Sequence, residues 1–363
     1  MSDPRHPPSP YSLETLLAPD ALPRLGVIAL VLGAIAAAFA WTGGWFSPGR
    51  LDQTSMIDTF EAVNGVHAGF RRNHAKGVCL TGWFDSNGKG SRLSTARVFQ
   101  SGRIAVFGRF ALAGGMPAMP DGPAAVRSLA LDFSLPNGEV WRTGMNDIPV
   151  FPVSGAQAFH DLLVATRPGA DGKPDPARVA AFLAAWPDSA QALGLIKGVT
   201  FSSGFANATY NSLTTFRMTD ASGHSTLVRW SMQAVDAFAP EPAETPKDPN
   251  YLFAALAERL ARAPAQWRLI LVIGQPGDPE KATLPWPAGR ETIDAGTLSV
   301  TTVASEAAGN CRDINFDPLV LPSGIEPSAD ELLSARSAAY SESFTRRAGE
   351  RKTPSAVQVG KGG

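Results

Sequence analysis

A chain of 363 residues, 44% of them hydrophobic, is long enough to bury a sizeable core in one or two domains. Its formal net charge of −1, with 18% charged residues, offers no basic field and argues against nucleic-acid binding. The two cysteines, Cys79 and Cys311, fall in no Cys-x-x-Cys or zinc spacing and read as apolar free thiols, with pairing left open only for an oxidising compartment.

Residues 1–24 are polar and Pro-rich and read as a disordered leader. From Leu25 to Phe46 there is no charge, and Trp41 and Trp45 suit a membrane interface, so 25–46 is predicted to be a transmembrane anchor. Ala38-Phe39-Ala40 leaves a cleaved signal peptide as the alternative. Arg5 and Arg24 before the span and Arg50 after it set its orientation only weakly. The expectation is a single-pass protein of the bacterial inner membrane with its remaining chain in the periplasm. Residues 47–62 follow as a linker, with a short helix over Met56–Val63.

Next, apolar and β-branched runs alternate with turn signals: Val78–Phe84, Ala96–Gln100, Arg103–Leu112, Ser128–Leu135 and Val140–Thr143. Pro136-Asn137-Gly138 is a hairpin turn between the last two. Helical patterns begin after Gly155 and at Asp175-Pro176, a good N-cap and first helical residue. Strands are predicted again at Leu213–Thr219, Ser225–Met232, Trp267–Ile273 and Thr297–Val303, with a linker over 238–249 and an amphipathic helix ending at Arg262. The fold class is α+β: an antiparallel β-barrel with helical insertions and a helical C-terminus, spanning 63–348, before a disordered tail at 349–363.

Three short stretches carry the chemistry. Phe70-Arg71-Arg72-Asn73-His74-Ala75-Lys76-Gly77 is a basic turn that delivers one histidine to the mouth of a strand; alone, His74 reads as readily as a structural histidine as a proton shuttle. Asn146 ends a strand just before Ile148-Pro149-Val150-Phe151, where an asparagine is ordinarily a turn residue. Ser328 and Glu331 form a capping box that starts a helix on which Arg336, Tyr340 and Arg347 share a stripe roughly 40° wide. Such a stripe reads equally as a solvated face.

In this order the three stretches resemble the catalases, most closely the short catalase-related haem peroxidases, over about 63–347. The resemblance implies haem b as cofactor, with Tyr340 as the proximal iron ligand, His74 as the distal acid-base group and Asn146 as the amide that fixes peroxide. By the same resemblance Arg71, Arg109 and Arg347 hold the haem propionates, Phe159 stacks on haem, and Arg336 pairs with the Tyr340 oxygen. It implies reduction of organic hydroperoxides and hydrogen peroxide through an oxyferryl intermediate, at the expense of an external electron donor, in antioxidant defence. Hydrogen peroxide dismutation, hydroperoxide rearrangement and non-catalytic haem binding are the alternatives. The chain departs from the catalase pattern where the serine that supports the distal histidine is Ala111, which leaves His74 less firmly held. An acidic channel residue is absent near Ala125-Val126-Arg127, and the distal phenylalanine pair is Phe151-Pro152, changes that imply a more open pocket.

Overall fold

Ten strands make one antiparallel sheet in the computed structural model, which describes residues 22–43, 45–46, 51–122, 125–135 and 137–359. They are β1 (Gly77–Ser86), β2 (Gly102–Leu112), β3 (Arg127–Ser134), β4 (Val140–Asn146), β5 (Tyr210–Asn211), β6 (Phe216–Thr219), β7 (Ser225–Ala234), β8 (Ala265–Ile273), β9 (Thr292–Ser305) and β10 (Ile325–Pro327). The order β7-β5-β4-β3-β2-β1-β9-β8 closes through a β7–β8 pairing into an eight-stranded barrel, with β6 appended to β7 and β10 to β6. Closure removes the free edges that an open sheet would present.

Alternation along each strand decides which residues fill the barrel. Val78, Leu80 and Phe84 of β1, Val106, Phe110 and Leu112 of β2, Leu129, Leu131 and Phe133 of β3, and Trp141 and Met145 of β4 point into a single core with Trp230 and Trp267. The Trp141 ring stacks on Phe133 at 4.8 Å and meets Trp230 edge-on at 5.2 Å. The indole N–H groups of Trp230 and Trp267 donate to Thr143 Oγ1 and the Ala208 carbonyl, so their burial leaves no orphaned donor. Gly82 marks a bulge between β1 and β9, where a Cβ would sit 2.0 Å from the Ser299 carbonyl oxygen.

Seven helices are described: α1 (Leu22–Thr42), α2 (Gln53–Asn64), α3 (Ala156–Thr166), α4 (Pro176–Ala185), α5 (Pro187–Lys197), α6 (Tyr251–Arg262) and α7 (Glu331–Gly349). The first belongs to its own unit, 1–52, and its stretch Pro23–Thr42 is long and apolar enough to cross a membrane, with Leu30, Phe39 and Trp41 exposed. A signal sequence has the same character. Of the predicted leader, 1–21 lies outside the described residues, as do 47–50 of the linker.

Several expectations are corrected. Ala96–Gln100 is not a strand but a 3-10 turn over Arg97–Phe99, which tucks Val98 and Phe99 into the barrel core. The Leu213–Thr219 strand starts only at Phe216, because Leu213 has φ +62°. The helix from Asp175 breaks at Trp186-Pro187 and turns by 117° into a second one, since proline supplies no N–H and restricts the residue before it. The cap of α7 is Asp330, whose carboxylate accepts from the Leu332 amide, while Ser328 accepts from Asp330 itself. Residues 350–359, expected in a disordered tail, pack on the domain: Val357 is buried, Arg312 donates to the Thr353 carbonyl, and Val359 exchanges hydrogen bonds with Ser305. Positions 360–363 lie outside the described residues.

The free-thiol reading is also overturned. Cys79 projects from the outer face of β1 and forms a disulfide with Cys311, 232 positions away, in the 3-10 turn after β9. In the full chain denatured without reductant, maleimide should label neither cysteine, and replacing both with serine should cost about 2–5 kcal/mol of stability. Labelling of both without reduction would contradict the pairing.

Candidate active site

Two adjacent rungs of the barrel, facing outward, form one wall of the site. The first runs Gly77, Ala111, Ser128, Asn146 across β1 to β4, and the second runs Cys79, Arg109, Ala130, Gly144. Their chain neighbours Val78, Phe110, Leu129 and Met145 are in the core, so these eight positions face away from it. Helix α7 is the opposite wall, presenting Leu332, Arg336, Tyr340, Ser343 and Arg347 at helical spacing. Met56, Ile57 and Phe60 of α2, with Phe151 and Phe159, complete the lining. The cavity holds about 1120 Å³ including its open mouth.

The turn before β1 explains itself residue by residue. Lys76 is buried, and its ammonium donates to Asp121 at 2.7 Å and to the carbonyls of Met119 and Pro249, which anchors the turn. Gly77 is required because a Cβ there would lie 2.5 Å from Arg109 Nη2 and the Phe110 carbonyl oxygen. His74 adopts a left-handed φ of 55°, a conformation costing roughly 1–3 kcal/mol outside glycine. Asn73 Oδ1 holds it there by accepting from the amides of His74 (2.9 Å) and Gly114 (3.0 Å), while the Ala75 amide donates to the Gly114 carbonyl.

The exposed part of His74 faces the cavity rather than bulk water. Burial first, then the guanidiniums of Arg109, Arg336 and Arg71, lower its pKa to about 3. The imidazole is therefore neutral across physiological pH. Ser128 Oγ lies 2.9 Å from its Nδ1 and also donates to Asn146 Oδ1. This corrects the expectation drawn from Ala111: the missing hydroxyl is supplied by Ser128, its direct cross-strand partner.

Arg71, Arg109 and Arg347 gather beside the buried Glu306. Its carboxylate accepts from Arg71 Nη1 at 2.9 Å and Arg109 Nε at 2.6 Å. Arg347 donates to the carbonyls of Arg312 and Ile314, and Arg71 also donates to the Ile314 and Cys311 carbonyls. Burial and then Arg109 push the Arg71 guanidinium well below its ordinary range and bring Arg347 to about 10. Burial opposes the charge of Glu306, but Arg109 and Arg71 hold its carboxyl below the usual value. The cluster is under-neutralised and suits further carboxylates.

On the helical wall, Tyr340 Oη and Arg336 Nη2 lie 3.5 and 3.6 Å from where a Cβ of Gly144 would stand, so glycine keeps this surface flat beside the phenol. Phe159 meets Phe60 and Phe151 edge-on at 5.4 and 5.7 Å. Every residue expected of the site, His74, Asn146, Arg71, Arg109, Phe159, Arg336, Arg347 and Tyr340, lines this one cavity. The donor set fits a flat dianionic iron macrocycle: a phenol oxygen on the helix, a neutral imidazole and an amide on the sheet side, guanidiniums for carboxylates, and aromatic rings. Among the described residues no group of three His, Cys, Asp or Glu could hold a bare metal ion. The sequence did not single out Asn73, Ser128, Glu306 or the α2 residues; only Asn73, inside the His74 turn, carried a local signal.

Comparison with known proteins agrees with this geometry. Residues 41–357 match the family model described as Catalase. The chain is 33% identical over 324 residues to the catalase-related peroxidase of Synechococcus elongatus, covering 88% of this chain and 96% of that one. It is 30% identical over 306 residues to the catalase-related peroxidase of Mycolicibacterium paratuberculosis, covering 83% and 96%. A solved bacterial catalase structure superimposes with a TM-score of 0.68 at 21% identity, over 86% of this chain and 65% of that one.

The depressed His74 pKa has a consequence for stability. Between about 3 and the unfolded value near 6.5, the unfolded chain binds a proton that the folded chain excludes, so stability falls as pH falls through that window. The contribution approaches ~1.4 kcal/mol per pH unit. Urea unfolding of the full chain at pH 7 and pH 5 should therefore show a smaller loss in His74→Gln than in the wild type. Equal losses would contradict the assignment.

Proposed function

Because this chain belongs to the catalase family, and its cavity joins a neutral imidazole, an amide, a phenol and an arginine cluster, we propose that it is a haem-dependent peroxidase. It reduces organic hydroperoxides and hydrogen peroxide at the expense of an external electron donor, in antioxidant defence. The observation that carries the reading is that His74 and Asn146 face the same cavity as Tyr340, from opposite walls of the site.

In this reading haem b is held by Tyr340 through iron, by Arg71, Arg109 and Arg347 through its carboxylates, and by Phe159 against its face. When bound, the haem supplies the redox centre and the site at which peroxide oxygen coordinates. Arg336 stands one turn before Tyr340 on α7 and lines the same cavity. His74, neutral at working pH, would accept a proton from one peroxide oxygen and deliver it to the other. Asn146 donates its amide hydrogens to the peroxide and fixes its orientation.

The aliphatic and aromatic lining supplied by Met56, Ile57, Phe60 and Phe151 favours hydroperoxides with an organic tail over a site restricted to hydrogen peroxide. The apolar helix α1 serves as a single-pass anchor in the bacterial inner membrane, with the barrel in the periplasm. The Cys79–Cys311 disulfide supports an oxidising compartment.

Replacing His74 with Ala should leave haem bound while slowing the spectral response to an organic hydroperoxide by about 10²–10⁴-fold. Stopped-flow mixing of wild type and variant checks this. An unchanged rate would sink the assignment of His74.

A further inference from the structure

Three polar side chains from separate segments converge at the strand wall. His74 comes from the turn before β1, Ser128 is the second residue of β3, and Asn146 closes β4 directly opposite Ser128. Ser128 Oγ lies 2.9 Å from His74 Nδ1 and gives its hydrogen to Asn146 Oδ1. Ser128 itself is buried.

A serine hydroxyl has one hydrogen and two lone pairs. With that hydrogen directed to Asn146, Ser128 can only accept from the imidazole, so Nδ1 must carry the ring hydrogen. A neutral imidazole has a single N–H, which leaves Nε2 as a bare lone pair. At Asn146 the same bond occupies the amide oxygen and frees both amide hydrogens for a ligand in the cavity. The reverse arrangement would have Asn146 donating to Ser128 and Ser128 donating to Nδ1. It would place a hydrogen on Nε2 and turn the amide oxygen to the cavity, inverting the polarity of both groups at once.

We propose that Ser128 is a positioning residue which, through this one hydrogen, sets the tautomer of His74 and the amide orientation of Asn146 together. The inference rests on the peroxidase reading above. Its cross-strand partner on β2, facing the same cavity, is Ala111, which has no hydroxyl to offer the imidazole.

The test uses the haem-loaded full chain in detergent and two small ligands that differ in whether they must lose a proton. Hydrogen cyanide surrenders one on binding ferric haem and needs a bare ring nitrogen to take it; carbon monoxide binding to ferrous haem involves none. Ser128→Ala should slow cyanide association by about 10–100-fold, the loss usual when a supporting hydrogen bond is removed, and leave carbon monoxide association within about 2-fold. Ser128→Thr, which keeps the hydroxyl, should restore the cyanide rate to within about 3-fold of wild type.

Equal cyanide rates in wild type and Ser128→Ala, with a wild type that still reacts with hydroperoxide, would overturn the proposal and leave the peroxidase reading standing. Equal slowing of both ligands would overturn it as well, since that marks a change of cavity shape. A threonine variant as slow as the alanine variant would show that the hydroxyl is not what acts. A wild type that takes up no haem would remove the peroxidase reading and the proposal with it.

Discussion

The pairing register of β1 through β4 is the constraint on which the rest of the site depends. It places Gly77, Ala111, Ser128 and Asn146 in one rung and Cys79, Arg109, Ala130 and Gly144 in the next, all on the outer face. A slip of one residue would turn Arg109, Ser128 and Asn146 into an aromatic interior and expose Phe110, Leu129 and Met145. Each exposed large side chain would forfeit roughly 1.5–3 kcal/mol, and an unpaired buried guanidinium would cost more. The tryptophan and phenylalanine core of the barrel therefore stabilises the fold and, by the same packing, aims the polar residues of the cavity.

Charge does the remaining positioning. Burial first, and then the guanidiniums of Arg109, Arg336 and Arg71, keep the His74 imidazole neutral, and Arg71 and Arg109 also gather with Arg347 around the single carboxylate of Glu306. The same crowding makes the cluster receptive to carboxylates. One arrangement thus serves two ends: anions are favoured beside the guanidiniums, and an unprotonated base is maintained beside the strand wall. The backbone strain at His74 is met by Asn73, Gly114 and the buried Lys76–Asp121 pair, so the base is held by an anchored turn.

Much of this was legible in the sequence wherever cause and effect lie close along the chain. Alternating β-formers located seven of the eight barrel strands, and the spacing of Arg336, Tyr340 and Arg347 placed them on one face of a helix. What stayed hidden depends on register. Ser128 meets His74 from 54 positions away, Glu306 meets Arg71 from 235, and Cys79 meets Cys311 from 232. No local pattern distinguishes these from solvated serine, glutamate or free thiol. The two-residue β5 was too short to have a period at all. The tail was misread for a similar reason, since its polar composition conceals the contacts of Val357 and Val359 with distant segments.

The most direct test is the visible absorption spectrum of the full chain purified in detergent, recorded alone, after mixing with an organic hydroperoxide, and again after adding a reducing dye. A ferric, phenolate-type haem spectrum that shifts on hydroperoxide addition and returns with the dye is the predicted result. A chain that carries no haem, or whose haem spectrum is indifferent to hydroperoxide, would contradict the account.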